Sequence, residues 1–180
     1  MQFPSPGRLL ITTWRTLAPL PGGKWVFGRI LGLLAPYSGS IRPEVLDLRP
    51  GYARVRLRER WGVRNHLESV HAIALANLAE VTSGLAMLAA LPAGVRGILT
   101  ALSVSYVKKA RGVLVGECSC TCPEVSGPTD HEIEVFVRDQ RGDVVVQARA
   151  RWRLAPQARP QAGAKRPGNG ARRRAHVQIV

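Results

Sequence analysis

The stretch from Ser69 to Ala90 constrains this chain more than any other. It reads as one long helix, apolar nearly all the way round. Such a helix must be enclosed on most sides. Ser69 is a candidate N-cap, and Pro92 and Gly94 end the pattern. Val70–Leu91 is long enough to span a bilayer, but it carries His71, Asn77 and Glu80. A charge at mid-span costs roughly 2.5–3.5 kcal/mol on insertion scales. The expectation is therefore a core helix of a soluble protein.

Strand patterns flank this helix. Before it, Ala53, Val55 and Leu57 alternate with Arg54, Arg56 and Arg58, and a turn at Pro50-Gly51 joins them to Val45–Leu48. After it come four strand-like stretches, near 97–108, 113–122, 131–139 and 143–154. The last two meet at Gln140-Arg141-Gly142-Asp143, a hairpin signal. A two-residue loop there sets Glu134 opposite Arg149 and Glu132 opposite Arg151. The economical architecture is α+β: a curved antiparallel sheet wrapped around the one long helix.

Two short helices are expected within 8–34, broken at Pro19–Gly23. They can pack over the core or lie on an anionic membrane surface. The expected organisation is an N-terminal helical extension over 1–37, a main domain over 38–154 and a disordered basic tail over 155–180.

Charge narrows the partners. The net charge is +14, six of it in 155–180 with no acid, which leaves +8 on the body. A basic body suits polyanions, including the phosphates of a nucleotide-bearing cofactor. The expected ion pairs occupy part of the basic sheet face, and aromatics make up only 6% of the chain. Stacking platforms for single-stranded nucleic acid are thus not expected, nor is a specific nucleic-acid partner. Weak contact with an anionic membrane through the N-terminal helices or the tail remains open.

Cys118, Cys120 and Cys122 fall at alternate positions of one run. They read as small apolar side chains in a strand, with neither a disulfide framework nor a metal site expected. Residues 1–7 lack the pattern of a secretory signal, so a cytoplasmic setting is expected.

Glu80 is the residue most suggestive of chemistry. A carboxylate among Leu78, Ala79, Val81 and Leu85 is costly to ionise, and its pKa rises toward the range of a general acid–base. An arginine partner or a subunit contact would explain it equally well. Thr82 and Ser83 lie close enough to orient it, or to satisfy their own helix carbonyls. The start of the helix presents unpaired amides, so Ala72 and Ile73 are candidate donors to an oxyanion. Asn65 and His71 could orient substrate or water.

Asn65, then His71 six residues on, then Glu80 nine further, resembles the Asn-x5-His-Gly-Gly-x6-Asp/Glu pattern of hotdog-fold thioesterases of the phenylacetate-pathway type. The body follows that family's order of elements. With the N-terminal helices the chain is still more similar to the DUF4442 branch. Ser105–Gly112 resembles the family's strand end. The resemblance implies hydrolysis of an acyl-CoA or acyl-carrier thioester, coenzyme A entering as part of the substrate and no other cofactor. It implies a homodimer or tetramer in which the carboxylate of one chain faces the helix start of another. Glu80 would be base or nucleophile, with Asn65 and His71 beside it and the Ala72 and Ile73 amides as oxyanion donors. Ser83, Thr100, Lys108 and Lys109 would contact substrate, the lysines meeting its phosphates. Two positions depart from the pattern. Ala72-Ile73 replaces Gly-Gly, and Glu68 stands where the family keeps a glycine three residues after the Asn. An acyl- or lipid-binding protein without turnover is the alternative. A hydratase of the same fold would need an Asp and His on a loop before the helix, and that pair is not evident.

Overall fold

The computed structural model describes residues 6–157. Three helices come first: α1 (Pro6–Leu17), α2 (Gly23–Leu34) and the short α3 (Pro36–Gly39). Strands β1 (Glu44–Arg49) and β2 (Tyr52–Arg58) lead through a 3-10 turn at Trp61–Val63 to α4 (Ala72–Ala90). Strands β3 (Val95–Tyr106), β4 (Val113–Ser119), β5 (Thr129–Arg138) and β6 (Val144–Pro156) complete the chain.

All six strands form one antiparallel sheet in the order β1-β2-β4-β5-β6-β3. The sheet curves around α4, as expected from a helix with no polar face to give to water. Of α4, only one narrow stripe stays open; Leu78, Ala79, Ala86 and Met87 are fully buried. Close approach of sheet to helix depends on Gly116 in β4. A Cβ there would lie 2.6 Å from Thr82 Oγ1 and 3.4 Å from Leu78 Cγ. By length and composition α4 could cross a membrane, but 67% of its most apolar window is enclosed by the protein.

The N-terminal helices belong to the same core. Ile11, Trp14 and Phe27 are buried in one cluster with the residues of α4 and the sheet, and Trp14 meets Phe27 edge-on at 5.1 Å. Gly7 brings α1 against α4 backbone to backbone: a Cβ on Gly7 would fall 2.0 Å from the Leu88 carbonyl oxygen. The chain from 155 does not leave the fold at once. β6 runs to Pro156, and the Gln157 amide donates to the Gly94 carbonyl at 2.6 Å. The rest of the expected tail, 158–180, lies outside the described residues.

Two local expectations change. Helix α4 begins three residues later than Ser69. His71 is its N-cap, with Nδ1 accepting from the Ile73 amide at 3.1 Å. Ser69 instead donates its hydroxyl to Asn65 Oδ1 at 3.1 Å, inside the preceding loop. The β5–β6 hairpin closes through three loop residues, not two: Asp139 and Asp143 pair, with Gly142 at φ 86°. A bulge at its end restores the inner register. Glu134 therefore still faces Arg149, and Glu132 still faces Arg151, at 3.5 and 3.4 Å.

Candidate active site

Glu80 sits mid-way along α4 on the helix's open stripe, only partly covered. Among the described residues its carboxylate accepts one hydrogen bond, from the Ser38 hydroxyl of α3, 3.4 Å from Oε2. Among the described residues no cation pairs with it. Burial raises the carboxyl above its ordinary value, and the Ser38 hydroxyl opposes that only in part. The arginine that would have made Glu80 structural is thus not found among the described residues.

Glu80 and Ser38 stand at the junction of two spaces. One is a cleft of about 350 Å³ lined by Tyr37, Ile73, Ala76, Asn77 and Leu102. The other is an apolar channel of about 410 Å³ between α1, α2 and α4. Asn77, which the sequence reading used only as an argument against a membrane span, is buried beside the carboxylate. Its Nδ2 donates to the Tyr37 carbonyl at 3.1 Å, while Oδ1 has no partner among the described residues. Its sequence signal was a buried amide three residues before Glu80, on the same helix face.

The other proposed residues scatter. Asn65 Oδ1 accepts from the Leu67 amide at 2.9 Å and from the Ser69 amide and hydroxyl at 3.2 and 3.1 Å. Its carbonyl group is spent on shaping the loop, so any contact with substrate falls to its Nδ2. His71 is the cap of α4, and its Nδ1 occupies the Ile73 amide. The Ile73 amide, one of the two expected oxyanion donors, is thereby already bonded, and of the pair only the Ala72 amide, in the first turn, is without a partner within the helix. The Tyr106 hydroxyl donates to the Ala72 carbonyl at 3.1 Å and steadies that end. Ile73 itself is 54% exposed and faces the cleft that Glu80 lines.

Three side chains expected to contact substrate make internal bonds. Ser83 is fully buried and donates to the Glu80 carbonyl at 2.9 Å; Thr82 likewise donates to Leu78 at 2.7 Å. Each satisfies its own helix. Thr100 sits at a bulge in β3 and donates to the Arg151 carbonyl at 3.1 Å. Lys108 bridges Asp143 and Asp139 across the hairpin at 2.5 and 2.9 Å, which holds its ammonium pKa up. Lys109 is the lysine left toward solvent, lining a shallow cleft with Asn65 and Ala72.

Glu68 has φ 53°. The loop thus keeps the left-handed conformation that a glycine would supply, without the glycine. Among the described residues no group of three or more His, Cys, Asp or Glu side chains could hold a metal ion. Cys118 is buried in β4; Cys120 and Cys122 follow the strand, and all three are free.

Comparison with known proteins decides the family. The model of a domain of unknown function, DUF4442, matches residues 23–154. The chain belongs to the DUF4442 family. Among curated proteins none matches it. Among solved structures, a protein from a genomics programme is 29% identical to this DUF4442 chain. It covers 82% of this chain and 99% of its own, with a TM-score of 0.72. A probable thioesterase from Pseudomonas aeruginosa is 23% identical, covering 77% of this chain and 97% of that one, with a TM-score of 0.64. A hypothetical thioesterase from Streptococcus pneumoniae, crystallised with coenzyme A, is 22% identical, covers 64% and 91%, and has a TM-score of 0.55. The fold of this DUF4442 protein is the hotdog fold.

Proposed function

We propose that this protein hydrolyses acyl-CoA thioesters, with Glu80 as the group that activates water. The observation that carries the reading is a half-covered carboxylate with a raised pKa and no cation among the described residues, placed where an apolar channel meets an open cleft. A probable thioesterase and a hypothetical thioesterase among the structural neighbours, the latter crystallised with coenzyme A, support it. Glu80 takes a proton from water as the water oxygen bonds to the thioester carbon. The tetrahedral oxyanion then collapses, the C–S bond breaks, and the proton passes from Glu80 to the leaving sulfur. Lys109 is the basic side chain best placed for coenzyme A phosphates. If Glu80 attacks the carbonyl directly instead, an acylated Glu80 peptide will be trapped by mass spectrometry in single turnover.

The site we infer needs two chains. Glu80 lies nine residues from the His71 end of α4, roughly 13 Å along the axis. A hydrogen bond reaches about 3 Å, so one carbonyl cannot touch both ends of the same helix stripe. A two-fold homodimer would bring a partner's helix start to Glu80. Strand β3 supports this: it is a sheet edge, with Ile98 and Tyr106 66% and 48% exposed.

Ala72→Pro tests the arrangement. Proline suits the first helical position, and His71, at φ −62° and ψ 140°, already has the backbone a following proline requires. The variant should fold and lose the oxyanion donor. Alone, Ala72→Pro and Glu80→Gln should each be nearly inactive. Unfolded together and refolded as a mixture, they should recover about a quarter of wild-type activity, because half of the dimers would hold one intact site of two. No recovery would place the site within one chain.

A second reading, acyl binding without turnover, is favoured by the Ile73 amide being already bonded to His71. Thiol release from a panel of acyl-CoAs separates the two: tight binding with no release would decide for the binder.

A further inference from the structure

The channel beside Glu80 is built from three helices. Along α4 it is lined by Glu80, Val81, Gly84, Leu85 and Leu88, a single stripe of that helix. Opposite stand residues of α1 and α2, among them Leu10, Thr13, Ile30 and Leu31. Of all the lining side chains only Thr13, Ser38 and Glu80 are polar, and the last two are bonded to each other at one end. At the other end α1 and α4 converge, the Gly7 backbone lying against Leu88. A volume of about 410 Å³ falls in the range of small-molecule sites. This is therefore an apolar channel, open along the side where Leu9 and Leu34 are exposed, that runs from a carboxylate to the point where α1 and α4 converge. Its α1 wall lies outside the residues that the family model matches.

Length follows from geometry. Glu80 to Leu88 spans eight helical residues, roughly 12 Å. A saturated chain with bonds near 1.5 Å and near-tetrahedral angles advances about 1.25 Å per carbon. The channel thus holds about ten carbons.

We infer that this channel receives the acyl chain of the substrate, and that the substrate class is a straight aliphatic acyl thioester of about ten carbons. The inference rests on the thioesterase reading for the word "thioester" only; the channel as a site for an alkyl chain stands on its lining. The thioester carbon sits at Glu80, and the alkyl chain runs toward Leu88. The wall contributed by α1 and the stop at Gly7–Leu88 set the length. Short acyl groups leave the channel unfilled, and each further methylene up to the stop adds about fourfold in apparent affinity.

The experiment has two arms on the full chain. In the first, thiol release is followed for butyryl- to palmitoyl-CoA. Wild type should gain in kcat/KM toward about ten carbons and fall beyond. Thr13→Phe, which puts a ring into the channel, should lose at least tenfold on decanoyl-CoA and little on butyryl-CoA. Leu88→Ala should move the optimum to longer chains. The second arm needs no turnover: calorimetric titration with decanoate and with butyrate. Decanoate should bind wild type and bind Thr13→Phe at least tenfold more weakly, with thermal melting confirming that both are folded. If acyl-CoAs are cleaved but neither variant alters the chain-length profile or decanoate binding, the channel assignment is overturned and the thioesterase reading stands. If decanoate binding follows the channel variants while no acyl-CoA is cleaved, the channel stands and the hydrolase reading falls. Decanoate binding equal in wild type and Thr13→Phe overturns the channel assignment whatever the first arm gives.

Discussion

Glu80→Gln should lose about 10²- to 10⁴-fold in kcat while gaining stability. The loss is that of a general base, because the amide cannot take a proton from water. The gain follows from linkage. Burial raises the Glu80 pKa in the folded state above its unfolded value. Between those two values the folded protein holds more protons than the unfolded one, so stability falls as pH rises through that interval. The ionised carboxylate is then a standing cost at neutral pH. Glutamine removes the charge and keeps the shape. The variant should melt higher than wild type at pH 7, and the difference should vanish at a pH below the ordinary carboxylate range. Catalysis by wild type should run the other way, falling as pH drops through the raised pKa. Thiol release and thermal melting across pH read both curves. Wild-type activity in Glu80→Gln would remove Glu80 from the mechanism. A lower melting temperature at pH 7 would mean that the carboxylate has a stabilising partner.

Leu78→Ala should destabilise by about 2–5 kcal/mol, against little for Ile73→Ala on the same helix. Leu78 is fully buried under β4, next to the Gly116 gap, so truncation leaves a hole that the wrapped sheet cannot close. For a chain of this size that corresponds to a fall in Tm of very roughly 4–20 °C. Ile73 lies five residues earlier and is 54% exposed in the single chain. The contrast between them measures how one-sided the burial of α4 is. It also probes assembly. If Ile73→Ala costs as much as a core truncation, and the cost grows on dilution, the open stripe of α4 is covered by a second copy in solution.

The architecture was legible because α4 leaves few choices. A helix apolar all round must be wrapped, and the alternating strands on either side supply the wrapping. Even the wrong hairpin loop gave the right charge pairs, since the bulge near Val145 cancels the extra loop residue. Glu80 was legible for the same reason: one carboxylate in an apolar run stands out. The residues around it were not, because hydroxyls and lysines have nearby uses that a sequence does not rank. Ser83 and Thr100 turn to backbone carbonyls, and Lys108 to two aspartates that flank a turn. Ser69 and His71 were both able to cap the helix; Asn65 claims Ser69, and the cap passes to His71. The channel was out of reach of sequence reading. It depends on Gly7 touching Leu88, a contact between two residues that are more than seventy positions apart in the chain.

The distance along α4 has a kinetic meaning. If the carboxylate and the oxyanion donor that serve one thioester sit on different chains, catalysis is a property of association and not of the polypeptide. The rate should then be linear in protein only while dimers predominate. Below the dissociation constant it should approach the square of the protein concentration, and specific activity should decline on dilution with no loss of fold. A helix too long for its two ends to meet would thus make turnover report how much protein is present.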